Sequence, residues 1–271
     1  LRALGFAERA GDHRERRETL VWLLLAYTFG PLPAEEGMLR AEEIRLDPDG
    51  GLEVEAMALI SVAALKAMQG RFDEARHEMA AGRSMYRDLG FAVHWAGSAM
   101  ISGRAELLAG DVRVAERELR EGYEALGQLG ETGYLSTIAA LLAKAVLAQG
   151  RLDEALQLSE ASERASAPDD LESQAQWRAV RAQALGLQGV LDEAERLARE
   201  SVAVVDPTDF LIERADAYRT LAEVLRIAGR PSEAAAALEE ALPLYARKGD
   251  LVSAARTRAM RDELGTEGSN R

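Results

Sequence analysis

The chain has 271 residues and carries 33 Lys and Arg against 46 Asp and Glu, a net charge of −13. That balance argues against a general nucleic-acid-binding surface, because neutralising phosphates takes basic patches. With no cysteine there are no disulfides, thiolate metal sites or thiol nucleophile, and no run approaches the roughly 18 apolar residues that a membrane span needs.

Residues 1–10 read as the tail of a helix whose partner is missing, as in a piece cut from a longer cytoplasmic protein. Amphipathic spacing and breakers then predict helices over 15–29, 34–45, 53–69, 73–88, 93–109, 112–128 and 132–149. Further helices are predicted over 153–165, 172–188, 192–205, 211–228, 232–247 and 252–263, the last a C-terminal cap. Leu135, Ile138, Leu141, Leu142, Ala145 and Val146 show the i, i+3, i+4 pattern of a helix with one buried face. Residues 265–271 form a polar tail after a solenoid that spans 1–264.

The organising signal is a glycine that returns in one local context, at Gly70, Gly110, Gly150, Gly189 and Gly229, with Gly30 as a degraded copy. Self-similarity at a fixed period predicts a repeat array, with each unit burying its apolar face only against its neighbours. The glycine ends the first helix of each hairpin, since a left-handed residue there costs glycine least. Phe72, Val112, Leu152 and Leu191 are expected to plug the turn, and Asp73, Asp153, Asp192 and Ser232 to N-cap the second helix. A following alanine (Ala75, Ala115, Ala155, Ala194, Ala234) is expected to let the two helices approach closely.

The period fits either HEAT-like or tetratricopeptide-like (TPR) hairpins, and the Gly-x-x-[Asp/Ser]-Glu-Ala turn favours the second. A small residue seven positions before the glycine (Ala63, Gly103, Ala143, Ala182, Ala222) matches the TPR pattern. The chain therefore resembles a TPR array: an all-α, right-handed helical-hairpin solenoid of about six hairpins. The stretches 118–126, 133–137, 149–151 and 222–231 also look like the C-terminal repeat region of bacterial proteins that join a class III adenylate or guanylate cyclase to an AAA- or STAND-type ATPase. That likeness implies nucleotide chemistry in the parent and sensing or coupling here; no Gly-x-x-x-x-Gly-Lys-[Ser/Thr] phosphate loop occurs in this chain.

In TPR arrays the first helices line a concave face. Counting back from each glycine to the positions such arrays use implies a groove of Met57, Ile60, Met100, Arg104, Leu107, Lys144, Arg219 and Glu223. Methionine suits such a lining because it is flexible and polarisable; the competing reading packs the methionines between units. In the Gly189 unit strict counting would bury Arg178 and Arg181, which is costly without partners. A one-residue slip there buries Trp177, Val180 and Ala184 and turns Arg178 toward the groove.

No catalytic, cofactor or metal residues emerge. His13, His77 and His94 are scattered over different units, and the Asp-Glu pairs stand in first turns, where negative charge favours the helix dipole. Trp22, Trp95 and Trp177 are expected at interfaces between units. The sequence thus predicts a non-catalytic module that binds a protein or peptide, or its own parent's ATPase or cyclase, in the groove. The alternatives are a small-molecule or peptide sensor of a STAND-type regulator and an oligomerising scaffold; nucleic acid and membrane are not expected partners.

Overall fold

The computed structural model describes residues 2–269; Leu1 and the last two positions of the expected polar tail lie outside the described residues. Its helices are α1 (Arg2–Ala10), α2 (His13–Phe29), α3 (Ala34–Arg45), α4 (Gly51–Met68), α5 (Phe72–Asp88), α6 (Ala92–Gly97), α7 (Ala99–Ala109) and α8 (Val112–Leu129). They continue as α9 (Leu135–Leu147), α10 (Leu152–Ala165), α11 (Leu171–Leu187), α12 (Leu191–Val205), α13 (Leu211–Ile227), α14 (Pro231–Lys248) and α15 (Leu251–Ser269). Six antiparallel hairpins follow one another from α2/α3 to α13/α14, and each first helix also packs on the first helix of the next unit. The last helix runs past the expected end at Glu263.

The turn glycines do what their spacing predicts. Gly70, Gly110, Gly150, Gly189 and Gly229 all sit in the left-handed region, with φ between 73° and 87°. Gly30 does not: its φ is −76° and its backbone is extended. The alanines after the turn are buried at all five positions, as are Ala63, Ala143, Ala182 and Ala222 in the facing column. At Gly103 even a methyl group is too large, since a Cβ there would lie 2.4 Å from Leu119 Cγ. The turn motif does not reveal a further column, where Gly82, Gly122, Ser162 and Ser201 mark the closest approach of paired helices. A Cβ on Gly82 would meet Ala56 O at 2.6 Å, while Ser162 and Ser201 use the same contact to donate to Ser136 O (2.8 Å) and Ala175 O (2.9 Å).

The N-cap expectation is corrected. The second helices α5, α10, α12 and α14 begin one residue earlier than predicted, so their cap positions are Arg71, Arg151, Val190 and Arg230, with no side-chain capping bond. Asp73, Asp153, Asp192 and Ser232 fall inside the first turn. The Arg71 side chain bonds Glu74 of its own helix, but Arg151 and Arg230 tie units together. Arg151 reaches back to Glu116 on α8 and forward to Glu154 at 3.0 Å. Arg230 likewise bonds Glu195 on α12 at 2.5 Å and Glu233 at 2.5 Å. Where α5 meets the turn at Gly110 the signs are exchanged, and Arg76 bonds Asp111. Glu116 shows the effect on charge: burial would raise its pKa, but bonds from Arg151, Arg120 and Gln149 outweigh that and hold it at about 2.

The superhelix returns on itself. Lys248, at the end of α14, is fully buried and donates from Nζ to the carbonyl oxygens of Tyr27, Gly30 and Leu32, each at 2.9 Å. Gln69 at the end of α4 donates to Gly249 O at 2.5 Å. These bonds hold the last hairpin against the first two and enclose the concave face.

Candidate functional site

The inner helices, together with α15, surround a cavity of ≈270 Å³ at the centre of the superhelix. One wall is apolar, with Phe29, Ala64, Ile101, Leu141 and Val180. Beside it lies a network of charges brought together from distant units. Arg104 on α7 bonds Glu213 Oε1 on α13 at 3.0 Å and Glu172 on α11, and its guanidinium lies 5.2 Å from the Phe29 ring centroid. Lys144 on α9 donates to Asp216 Oδ2 at 2.9 Å, and Tyr245 OH donates to Asp216 Oδ1 at 2.5 Å. Arg219 stands 3.7 Å from Asp216 and 3.5 Å from Glu223.

Burial alone would raise the Asp216 carboxyl, but Lys144 and Arg219 outweigh it and hold the group far below the usual carboxylate range. Glu172 ends on the other side: burial pushes its pKa up further than Arg104 pulls it down. Four polar atoms in this network, Arg104 Nε, Arg219 Nε, Gln176 Oε1 and Glu213 Oε2, are buried without a hydrogen-bond partner. Glu213 itself is only 6% exposed. An unmet buried polar atom costs about 1–3 kcal/mol, so two donors and two acceptors here hold bonding capacity unused. Arg256 of α15 also lines the cavity.

Of the residues expected in the groove, Arg104, Leu107, Lys144 and Arg219 line this cavity. Glu223 lies beside it, taking a hydrogen bond from the lining Gln183. Ile60 does not line it: it is completely buried, because α4 is enclosed by α2, α3, α5 and α7. Met57 and Met100, 5% and 9% exposed, instead floor a separate cleft of ≈240 Å³.

Arg178 is also elsewhere. Its guanidinium stacks 4.1 Å from the Trp177 ring centroid and bonds Gln174 O at 2.7 Å and Glu200 at 3.4 Å. Trp177, Val180 and Ala184 are buried as the slip predicted, yet unshifted counting from Gly189 places Gln176, Ala179 and Gln183, which do line the cavity. The slip is unnecessary because Arg181, like Arg178, finds partners, in Ser159 at 3.2 Å and Glu163 at 2.7 Å. Trp95 and Trp177 are covered as expected, but Trp22 is 67% exposed. Sequence reasoning missed Glu172, Glu213 and Asp216; Asp216 stands 13 residues before Gly229, the column that gave Met57, so it was legible.

Residues 173–247 match the model of the tetratricopeptide repeat. No curated protein matches the chain. Among solved structures it is similar to NprR in complex with its cognate peptide NprX, at 14% identity over 91% of this chain and 72% of that one, with a TM-score of 0.67. It is also similar to BtubC (BKLC) from P. vanneervenii, at 18% identity over 80% of this chain and 93% of that one, with a TM-score of 0.45. The chain folds as an all-α TPR-like solenoid. In this TPR-like array no described helix is long and apolar enough to cross a membrane, and no group of three or more His, Asp or Glu among the described residues could hold a metal ion.

Proposed function

We propose that this TPR-like array is a non-catalytic binding module that takes an extended peptide, or a segment of a partner protein, in its central cavity. The observation that carries the reading is that four residues lining the cavity, Arg104, Arg219, Gln176 and Glu213, each hold a buried polar atom without a hydrogen-bond partner, beside an apolar lining. A peptide backbone offers alternating C=O and N–H groups to such a set, and its side chains suit the Phe29–Ile101–Leu141 wall. NprR, which shares the fold, is solved with a peptide bound. The module would couple occupancy to a bacterial cytoplasmic signalling protein, the occupant being a separate peptide or a segment of the parent's own ATPase or cyclase. Coupling requires that the occupant bind the parent's two states with different affinity.

Selection of a displayed random-peptide library on the immobilised protein tests this. Selected peptides should lose at least tenfold in affinity on Arg104→Met, read by fluorescence anisotropy. Arg256→Glu tests the same wall without touching a buried ion pair, so its melting temperature should stay unchanged while affinity falls. Unaltered binding by both variants would place the peptide elsewhere. A second reading, a small-molecule sensor, is favoured by the cavity's size, near the lower end of ligand pockets. Thermal stabilisation by a small polar metabolite, with no peptide enriched, would select it.

A further inference from the structure

Arginines cover the faces of two of the chain's three tryptophans. Trp95 carries Arg83 and Arg87 at 5.7 and 5.2 Å from the ring centroid, and Trp177 carries Arg178 and Arg181 at 4.1 and 4.4 Å. Even the exposed Phe6 has Arg9 at 4.7 Å. Trp22 differs from the other two tryptophans. It is 67% exposed, and among the described residues no arginine or lysine stacks on it.

Trp22 stands at the rim of the ≈240 Å³ cleft formed where α2, α4, α6 and α7 meet, just before the start of α9. Tyr134 and His94 form its other walls and Met57 and Met100 its floor, with two carboxylates, Glu18 and Glu53, at its edge. None of its lining residues is an arginine or lysine. Glu18 already meets Arg14 at 3.1 Å, whereas among the described residues Glu53 meets only His94, at 3.6 Å. Tyr134 lies directly on Gly97, where a Cβ would come within 3.1 Å of its ring, so the wall is held in place by a missing side chain. Beneath, Tyr86 is buried, with its hydroxyl unpartnered.

An aromatic face, soft thioethers and a carboxylate without a full cationic partner make a receptor for an organic cation, since the ring quadrupole and the anion attract the same charge. We propose that this cleft binds the guanidinium of an arginine side chain from a partner protein, stacked on Trp22 and paired with Glu53. Arginine is assigned over lysine because its planar cation can both stack and fork onto a carboxylate; Arg178 likewise stacks on Trp177 while bonding Glu200 through Nε. The site is separate from the central cavity and does not depend on the peptide reading.

The experiment is an NMR titration of the tryptophan indole N–H signals with N-acetyl-arginine amide. The Trp22 signal is assigned by its loss in Trp22→Leu. Saturable movement of that signal is expected, with affinity at least tenfold weaker for the neutral citrulline analogue and at least threefold weaker in Glu53→Gln. Arg104→Met should leave the titration unchanged. Equal affinity for arginine and citrulline, equal affinity for the lysine analogue, or no saturable movement would overturn the assignment. Trp22 is exposed and Glu53 half-buried, so circular dichroism melts of both variants should match the parent's and exclude misfolding.

Discussion

Ala155 has no accessible surface, and its equivalents in the neighbouring turns are as tightly held. Interiors of this density do not absorb extra methylenes without moving backbone. Ala155→Leu should therefore cost about 1–3 kcal/mol, read by urea denaturation; an unchanged midpoint would contradict the register given to the turns. Single residues were legible where backbone geometry or size admitted one answer, as at the left-handed glycines and the alanine column. They were less legible where the question was which way a side chain faced. Met57 and Ile60 occupy positions that line a groove only if the neighbouring units stand back. Here α4 is enclosed on nearly all sides, which depends on the curvature of the whole array and not on any residue within it.

At the scale of helices, the pairing of units was written in the sequence but in a column read for another purpose. The Glu of the repeated turn motif looks like first-turn charge; the structure shows Glu154 bonded at 2.7 Å by Arg120 of the preceding unit and Glu233 standing 4.0 Å from Arg199 of the preceding unit. Exchange of sign between Arg76 and Asp111 at an earlier junction shows that the pairing matters more than the polarity. These pairs are partly exposed, so each is worth little singly. A double-mutant cycle of Arg230→Gln and Glu195→Gln in urea should give a coupling of about 0.2–1 kcal/mol that shrinks with added salt. A coupling of zero would reduce the bond to an accident of packing. One break within a helix escaped prediction: the expected helix over 93–109 is divided at Ser98, whose hydroxyl donates to Trp95 O at 2.6 Å.

The whole molecule is governed by its closure, which nothing in a single unit foretells. Lys248 brings one ammonium to three carbonyls more than 200 residues earlier in the chain. Lys248→Met should leave those carbonyls unpaired, at about 1–3 kcal/mol for each unmet group. It should also speed amide exchange around the α2–α3 turn and enlarge the radius of gyration seen by small-angle scattering. The pH dependence has a definite sign. Burial, opposed by Glu213 and Asp250, pulls Lys248 from 10.5 to about 8. Between those values the unfolded chain holds a proton that the folded one has released. The stability of the parent relative to Lys248→Met should thus rise as pH rises from about 8 to about 10.5 and be flat below.

Open repeat arrays can gain or lose a unit, because each contacts only its neighbours and the ends are free. This one has spent that freedom. Deleting one hairpin would rotate Lys248 away from Tyr27, Gly30 and Leu32 and part Arg104 from Glu213. The number of units is therefore as much a determinant of the binding cavity as any side chain in it, and a change in copy number would be felt as a point mutation in an active site is felt.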